Sequence, residues 1–381
     1  MVVVRGALAL AVVAGLAGIS TTADAADTSA ADRRPAAVIS LGDSYMSGEG
    51  GRWLGNSADG TGSRRGTDRA FVDTPSGPVY RPETVYGSSA ANGCHRSDVA
   101  PVTHVRLPRT QVINIACSGA ATANVLRGSA GGVGHNGEAP QNDQLALIAR
   151  AVRIKAIVLL IGGNDVGFRP IVTNCVVAYA SKGPPCAAAE QARLEPALVR
   201  MREAVGRTID DIRAVMAEAG YARRSYRLIL ESYATPQAPA AEQRYPEAGP
   251  DRQNVGGCPF YDSDITWGRD GLAGRVGDSL RAVAAERRVQ FLDLRSALRG
   301  HELCSSRTRQ PETAPDEATS EWVRWVELTL QGDLSESLHP NAYGQKALGR
   351  CLELALWWPV DAACHGRPGH TTSWMSLRPL R

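Results

Sequence analysis

Five short runs of apolar and β-branched residues recur along the chain, at 37–41, 111–116, 156–161, 227–231 and 289–294. Runs that are apolar on both faces are typical of parallel strands buried inside a sheet. We therefore predict five buried strands that run in the same direction.

Helical patterns lie between these runs. The clearest stripe has apolar residues at steps of three and four. Pro196 suits the first turn of this helix and Gly220 its C-terminal stop. We predict further helices at 144–152, 268–287, 321–328 and 341–356. The stripe itself consists of Leu194, Leu198, Met201, Val205, Ile209, Ile212 and Met216.

Strands that alternate with helices predict an α/β fold, in which helices cover both faces of a parallel sheet. Ligands in such folds bind beyond the carboxyl ends of the strands. The longest irregular stretches, at 46–93, 167–191 and 232–266, follow the first, third and fourth strands. Because long loops are usually functional or disordered, we expect these segments to surround a binding site.

The N-terminus predicts a signal peptide over residues 1–25. Arg5 supplies a positive charge, the apolar run at 7–18 is short, and Ala23-Asp24-Ala25 resembles a cleavage site. A retained membrane anchor is the alternative, but no stop-transfer pattern follows. We expect a secreted, extracellular protein without stable membrane insertion, with one catalytic domain at 26–364 and a C-terminal tail at 365–381 that shows no periodicity.

Charge and cysteine content narrow the function further. The chain has 42 basic and 39 acidic side chains and a formal charge of +3, and this balance, spread along the chain, argues against a nucleic-acid partner, which would require a basic patch. Eight cysteines in an exported chain predict disulfides. No closely spaced Cys/His cluster of the usual zinc type is present. Neighbour pairing would join Cys94 to Cys117, Cys175 to Cys186, Cys258 to Cys304 and Cys351 to Cys364, although other connectivities remain open.

Four polar fragments stand at strand ends or helix starts. Gly42-Asp43-Ser44 follows the first strand, where a serine hydroxyl would lie at the carboxyl edge of the sheet. Gly119 follows the second strand and Asn164 the third, and each could donate an N–H to a developing oxyanion. His339 precedes the last helix. Each fragment alone is ordinary turn or cap chemistry, but the four in this order favour nucleophilic catalysis.

These fragments resemble the four conserved blocks of the SGNH (GDSL) hydrolase family. The resemblance runs from Val38 to about Leu356 and is strongest to secreted actinobacterial lipases and esterases. It implies a flavodoxin-like three-layer fold with a central five-stranded parallel sheet. It also implies a serine mechanism without a metal or other cofactor, with Ser44 as nucleophile and His339 as base. The Ser44 N–H, Gly119 and Asn164 would form the oxyanion hole.

The acid partner of His339 departs from the family pattern. Many members have an aspartate three residues before the histidine, and this chain has Glu336 there. A glutamate can orient an imidazole, although its additional methylene changes its reach. Glu336 is our candidate for the third catalytic residue, Asp333 is a weaker one, and a main-chain carbonyl is the alternative.

The sequence therefore predicts hydrolysis of acyl esters, either of lipids or of small acyl groups. An acyltransferase that uses the same acyl-enzyme, a carbohydrate O-deacetylase and a binding protein without catalysis are the alternatives. Aromatic residues make up 6% of the chain, which disfavours an extended carbohydrate platform. Tyr45, Trp53 and Tyr233 lie on segments that are expected to surround the site. Nothing demands a partner protein, and we expect a monomer.

Overall fold

A seven-stranded sheet forms the centre of the protein. The structure is a computed structural model that describes residues 33–57, 67–310, 315–328 and 332–380, and the predicted signal peptide lies outside these ranges. The sheet strands are β1 (Ala36–Gly42), β4 (Thr110–Asn114), β5 (Arg153–Leu160), β6 (Arg227–Glu231), β7 (Gln290–Asp293), β8 (Ala362–His365) and β9 (Ser376–Pro379), and a separate hairpin consists of β2 (Phe71–Thr74) and β3 (Gly77–Tyr80).

The strand order is β4-β1-β5-β6-β7-β8-β9. The pairs from β4 to β8 are parallel, and β9 is antiparallel to β8. The five predicted strands have the doubly wound order of flavodoxin-like folds, in which the chain reverses direction across the sheet after the second strand. The predicted fold class is confirmed. The strands β8 and β9 extend the sheet beyond the five that the sequence suggested.

Helices connect the strands. The long ones are α5 (Gln141–Ala151), α6 (Phe168–Ala180), α7 (Ala187–Glu218), α10 (Arg275–Arg287) and α11 (Ala342–Trp357). The short ones are α1 (Ser44–Ser47), α2 (Glu83–Tyr86), α3 (Ser89–Asn92), α4 (Thr122–Val125), α8 (Asp251–Asn254) and α9 (Asp262–Thr266), and the segment Trp267–Gly274 between α9 and α10 is a π-helix.

The predicted apolar stripe is the buried face of α7. This helix begins at Ala187, so Pro196 lies inside it and not in its first turn as predicted. No helix in the described part of the chain is long and apolar enough to cross a bilayer.

One predicted helix, at 321–328, is wrong. This segment is irregular, and its backbone N–H groups donate to other parts of the chain. Trp322 N donates to His301 O at 2.7 Å and Val326 N donates to Gly257 O at 2.8 Å. Both tryptophans of the segment are buried. The apolar spacing that suggested a helix therefore comes from a loop packed into the core.

Four disulfides link cysteines that are neighbours along the chain: Cys94–Cys117, Cys175–Cys186, Cys258–Cys304 and Cys351–Cys364. This is the neighbour pairing that the sequence suggested. The last disulfide joins α11 to β8 and so fixes the added strands of the sheet to the final helix.

Candidate active site

Ser44 lies at the carboxyl end of the central strand β1. The strand ends at Gly42, and Asp43 caps the short helix α1 by accepting a hydrogen bond from Tyr45 N at 3.1 Å. This tight transition places Ser44 as the first residue of the helix, partly exposed at the edge of the sheet. A strand and a cap in direct succession thus present the hydroxyl to the site.

His339 contacts Ser44 directly. Its Nε2 lies 2.6 Å from Ser44 Oγ, and its Nδ1 lies 3.1 Å from the main-chain oxygen of Ser337. A carbonyl only accepts hydrogen bonds, so Nδ1 carries the proton. Nε2 is then an acceptor and Ser44 Oγ is its donor. This is the tautomer that a general base needs in order to remove the serine proton.

The backbone in front of His339 is held in an uncommon conformation. Leu338 has φ = +62°, which costs a residue with a side chain of order 1–3 kcal/mol. Tyr45 Oη donates to Leu338 O at 2.9 Å, and Leu338 N donates to Arg324 O at 3.0 Å. The Tyr45 ring also lies 5.1 Å from the imidazole ring. These contacts fix the direction from which His339 approaches the serine.

The structure does not bring Glu336 to His339. Its carboxylate is fully buried and accepts hydrogen bonds from Trp53 Nε1 at 2.9 Å, Tyr86 Oη at 3.1 Å and Asp333 N at 3.0 Å. The guanidinium of Arg52 lies 3.5 Å away.

Burial raises the pKa of Glu336, and Arg52 opposes that effect. Glu336 therefore anchors its own loop, and Ser337 O takes the place opposite Nδ1 that was expected for its carboxylate. The weaker candidate, Asp333, is exposed and lies near Arg52.

Gly119 and Asn164 line the same cavity as Ser44. Gly119 has φ = +82°, a conformation that favours glycine. Asn164 Nδ2 donates to Ala120 O at 2.8 Å, which fixes the amide beside the turn that carries Gly119. In the described chain, the backbone N–H groups of Ser44 and Gly119 donate to no main-chain carbonyl. These donors are therefore free for a substrate oxygen.

His135, for which no catalytic role was predicted, supports this turn. Its Nε2 lies 2.8 Å from Ser118 O, and a Cβ at Gly119 would lie 3.2 Å from the same nitrogen. His135 lies 17 positions after Ser118, in a loop outside the four fragments, and nothing in the sequence around it indicated this contact.

Asp43, the residue before Ser44, is buried. It accepts hydrogen bonds from Tyr45 N and from Tyr233 Oη, and Tyr233 Oη accepts one from Gly163 N at 2.8 Å. Burial raises the pKa of Asp43 to about 7, against the opposing effect of Tyr233. This chain of contacts ties the loop after β1 to the loop after β5, which carries the oxyanion candidate Asn164.

A buried ion pair that the sequence did not reveal lies close to the histidine. Glu49 is fully buried, and its carboxylate lies 2.8 Å from His95 Nδ1. Burial alone would raise the pKa of Glu49, but its contacts with His95 hold that pKa below the ordinary value. Burial alone would lower the pKa of His95, but Glu49 raises it.

The same carboxylate acts on His339. Burial lowers the pKa of His339, and the negative charge of Glu49 opposes that effect. Glu49 thus supplies the carboxylate charge near the imidazole that Glu336 does not.

Ser44 opens into a largely apolar cavity of about 560 Å³. This volume lies within the range of about 300–1,000 Å³ that is typical of small-molecule sites. The wall carries polar side chains besides Ser44 and His339, among them Arg169, Gln237, Asp264 and Arg269. Most of the wall is apolar, with Phe168, Ile171, Val172, Val176, Phe260, Trp267, Leu272, Val276, Val326, Leu328, Leu334 and Leu338.

The cavity offers no clear metal site. Among the described residues, one group of Cys and Asp side chains is compact enough for a metal ion: Cys175, Cys186 and Asp264. Its two sulfurs form a disulfide with each other. The Asp264 carboxylate accepts hydrogen bonds from the backbone N–H groups of Cys186 and Ala187, so it caps the start of α7.

Comparison with known proteins identifies the family. The sequence profile of the GDSL-like Lipase/Acylhydrolase family matches residues 84–347. The chain belongs to this family. The match includes Gly119, Asn164 and His339 and begins after Ser44. Together with the relatives below, it makes the protein a carboxylic ester hydrolase.

The relatives of this GDSL hydrolase include Lipase 2 of Streptomyces coelicolor, which is 26% identical over 264 residues, or 67% of this chain and 75% of the relative. Phospholipase A1 from Streptomyces albidoflavus has a similar fold, with a TM-score of 0.52, 21% identity, and coverage of 84% of this chain and 97% of that one. An extracellular lipase from Streptomyces rimosus also has a similar fold, with a TM-score of 0.51 and 19% identity. The match covers 84% of this chain and 99% of that one.

Proposed function

We propose that this GDSL hydrolase cleaves long-chain acyl esters through a catalytic dyad of Ser44 and His339. The observation that carries the proposal is the 2.6 Å contact between His339 Nε2 and Ser44 Oγ at one end of the apolar cavity. Because Nδ1 donates to Ser337 O, a main-chain carbonyl orients the base and no carboxylate touches it.

The reaction begins when His339 Nε2 takes the proton of Ser44 and Oγ bonds to the ester carbonyl carbon. The N–H groups of Ser44 and Gly119 and the Asn164 amide stabilise the resulting oxyanion. The carbon–oxygen bond to the alcohol then breaks, and His339 gives its proton to the leaving alcohol. Water repeats these steps on the acyl-enzyme, which releases the fatty acid and returns the proton to Ser44.

The apolar wall of the cavity is the observation that favours a substrate with a long acyl chain. Each methylene that moves from water into such a site contributes about 0.8 kcal/mol, or roughly a fourfold gain in kcat/KM if the transition state benefits fully. The gain should continue until the chain fills the cavity. A deacetylase, by contrast, would gain nothing from this apolar volume.

We also propose that the protein is exported, with residues 1–25 as its signal peptide and a single catalytic domain from residue 26. Four disulfides support this proposal, because such bonds persist in oxidising compartments. The Streptomyces rimosus neighbour is itself described as extracellular. Mass spectrometry of the protein from the culture medium would test both export and the cleavage position.

Hydrolysis of p-nitrophenyl esters from acetate to palmitate tests the substrate class. Val172 lines the cavity and is only partly buried, so Val172→Trp should fill the cavity without disturbing the core. This variant should retain acetate hydrolysis and lose at least roughly tenfold on long chains, which equals the burial of about two methylenes. Val199→Trp is the matched control, since Val199 is exposed on α7 outside the cavity.

A rate that falls steadily from acetate onward in the unaltered protein would contradict the long-chain proposal and favour a deacetylase. Acyl transfer to an added alcohol at the expense of hydrolysis would instead favour an acyltransferase.

A further inference from the structure

A second cavity, of about 610 Å³, shares no lining residue with the cavity at Ser44. It is formed by the segment after β7 and by the connection between β8 and β9. Its wall contains four arginines and one histidine, with an exposed tryptophan at its side: Arg299, Arg307, Arg367, Arg378, His365 and Trp374. We call this cavity the arginine pocket.

Most of the positive charge in the arginine pocket has no counter-charge. Arg307 Nε donates to Glu242 at 2.9 Å. In the described ranges, the guanidinium groups of Arg299, Arg367 and Arg378 contact no carboxylate. The chain as a whole is nearly balanced, with 42 basic and 39 acidic side chains. The accumulation is therefore local, and mutual repulsion among the arginines favours an anion between them.

The pKa of His365, the histidine of the pocket, is affected by the charges of these arginines. Burial lowers the pKa of His365, and the charges of Arg378 and Arg299 lower it further, while Asp293 opposes them. His365 is the last residue of β8 and lines the pocket. The charges of Arg299 and Arg378 therefore act on the same part of the pocket, where His365 lies.

Trp374 adds an apolar surface beside these charges. Its side chain is 54% exposed, and the guanidinium carbon of Arg367 lies 5.0 Å from the centre of its ring. The stack holds one guanidinium in place without neutralising it. Tryptophan next to arginine is a combination typical of the boundary between lipid and water, where the ring meets apolar material and the guanidinium meets phosphate.

The arginine pocket and the catalytic cavity open on the same edge of the sheet. Ser44 follows the carboxyl end of β1, and the pocket follows the carboxyl ends of β7 and β8, which are parallel to β1. Four strand spacings separate β1 from β8, a distance of roughly 19 Å. The rim of the catalytic cavity also exposes apolar side chains, with Leu328 at 47% and Leu334 at 55%.

We propose that the arginine pocket binds the phosphate of an anionic phospholipid headgroup and holds the enzyme on a lipid surface while the catalytic cavity takes an acyl chain. One guanidinium group can donate two parallel hydrogen bonds to two oxygens of a phosphate. Three guanidinium groups without a carboxylate partner therefore suit an anion with several oxygens. The choice of a lipid over a soluble phosphate as the ligand rests on the proposed long-chain substrate. The proposal that the pocket binds a phosphate is independent of that substrate.

The test is binding without turnover. Ser44→Ala protein is sedimented with vesicles of phosphatidylglycerol and phosphatidylcholine in equal parts, and with vesicles of phosphatidylcholine alone. We expect binding to the anionic vesicles, with displacement by glycerol 3-phosphate. Changing Arg299, Arg367 and Arg378 to Gln should lower the partition coefficient on the order of 100-fold, because each arginine at an anionic surface contributes about fivefold.

A matched control removes the same charge elsewhere. Arg200, Arg207 and Arg224 are exposed, lie outside the pocket and have no ion pair in the described ranges. Changing these three to Gln should lower binding far less. Equal losses in the two variants would overturn the proposal, because net charge would then explain the binding.

A second measurement needs no substitution in the pocket. Calorimetric titration of Ser44→Ala protein with glycerol 3-phosphate should show one site. Absence of this binding would overturn the phosphate site. Binding of glycerol 3-phosphate by protein that does not sediment with anionic vesicles would overturn the lipid assignment and identify a soluble phosphate as the ligand. Because no ester is cleaved in either assay, both results are independent of the proposed hydrolase function.

Discussion

Replacing Glu336 by Gln separates a dyad from a triad. The carboxylate accepts three hydrogen bonds, from Trp53, Tyr86 and the backbone of Asp333, and lies 3.5 Å from Arg52 Nε. A glutamine side chain keeps the shape but has one acceptor oxygen instead of two. At least one buried donor is then left without a partner, whereas Arg52 keeps its bidentate pair with Asp68 and its hydrogen bond to Tyr80 Oη.

The expected loss is in stability. An unsatisfied buried donor costs about 1–3 kcal/mol, and the lost attraction to Arg52 adds to this cost without leaving that guanidinium unpaired, because Asp68 remains. For a chain of this size, 1 kcal/mol corresponds to roughly 1.4 °C, so we expect a fall in Tm of about 2–5 °C. Differential scanning calorimetry would measure it. Glu321→Gln is a suitable control, since Glu321 is fully buried and accepts bonds from Asn56 and the Cys304 N–H, away from the dyad.

The expected effect on chemistry is small. His339 Nδ1 keeps its bond to Ser337 O whether position 336 is charged or not. Well below its Tm, Glu336→Gln should therefore retain kcat within about one order of magnitude, whereas neutralising the acid of a Ser-His-Asp triad lowers kcat by roughly 10⁴. A folded variant with kcat reduced by roughly 10³ or more would refute the dyad.

Three further predictions follow from the site. Burial lowers the pKa of His339, and the base must be neutral. The rising limb of the plot of kcat/KM against pH should therefore have its midpoint below about pH 6.5. A midpoint above that pH would show that the charge of Glu49 outweighs burial. Asn164→Ala should lower kcat by roughly 10²–10³ with little change in KM, as expected for a lost oxyanion donor, and stopped-flow kinetics showing the reverse pattern would make Asn164 a ground-state binder. Replacing Cys351 and Cys364 together by Ala should cost roughly 2–4 kcal/mol in urea unfolding while the kinetics stay unchanged, and an unaltered midpoint would show that this disulfide does not constrain the unfolded chain.

The central sheet was predictable because its strands carry their signal locally. Residues 156–161 form a continuous apolar run and residues 37–41 are interrupted by Ser40 alone, and burial on both faces favours such runs. Strands β8 and β9 have four residues each and no alternation, so their pairing depends on the sheet edge that receives them. The same limit explains the wrong helix at 321–328, where the apolar spacing reflects packing of a loop.

The site also contains residues that could be predicted from local sequence and features that could not. Ser44, Gly119, Asn164 and His339 stand at element boundaries with recognisable neighbours, and the structure places them around one cavity. The orienting group of His339 was not readable, since every residue has a carbonyl and only the backbone path selects that of Ser337.

The ion pair of Glu49 and His95 was equally hidden. The two residues are 46 positions apart, and nothing in the sequence around Glu49 indicates that it is the partner of His95. Their contact arises only when the loop after α1 folds against the segment that contains Cys94 and His95.

Covalent labelling with a p-nitrophenyl ester of a long-chain alkylphosphonate tests the central claim most directly. The reagent should release p-nitrophenol and leave one phosphonyl group on Ser44 Oγ, which peptide mass spectrometry would locate. Ser44→Ala should not be labelled, His339→Ala should be labelled far more slowly, and Val172→Trp should react only with a short-chain analogue. An adduct on another residue, or labelling of Ser44→Ala at the unaltered rate, would contradict the account.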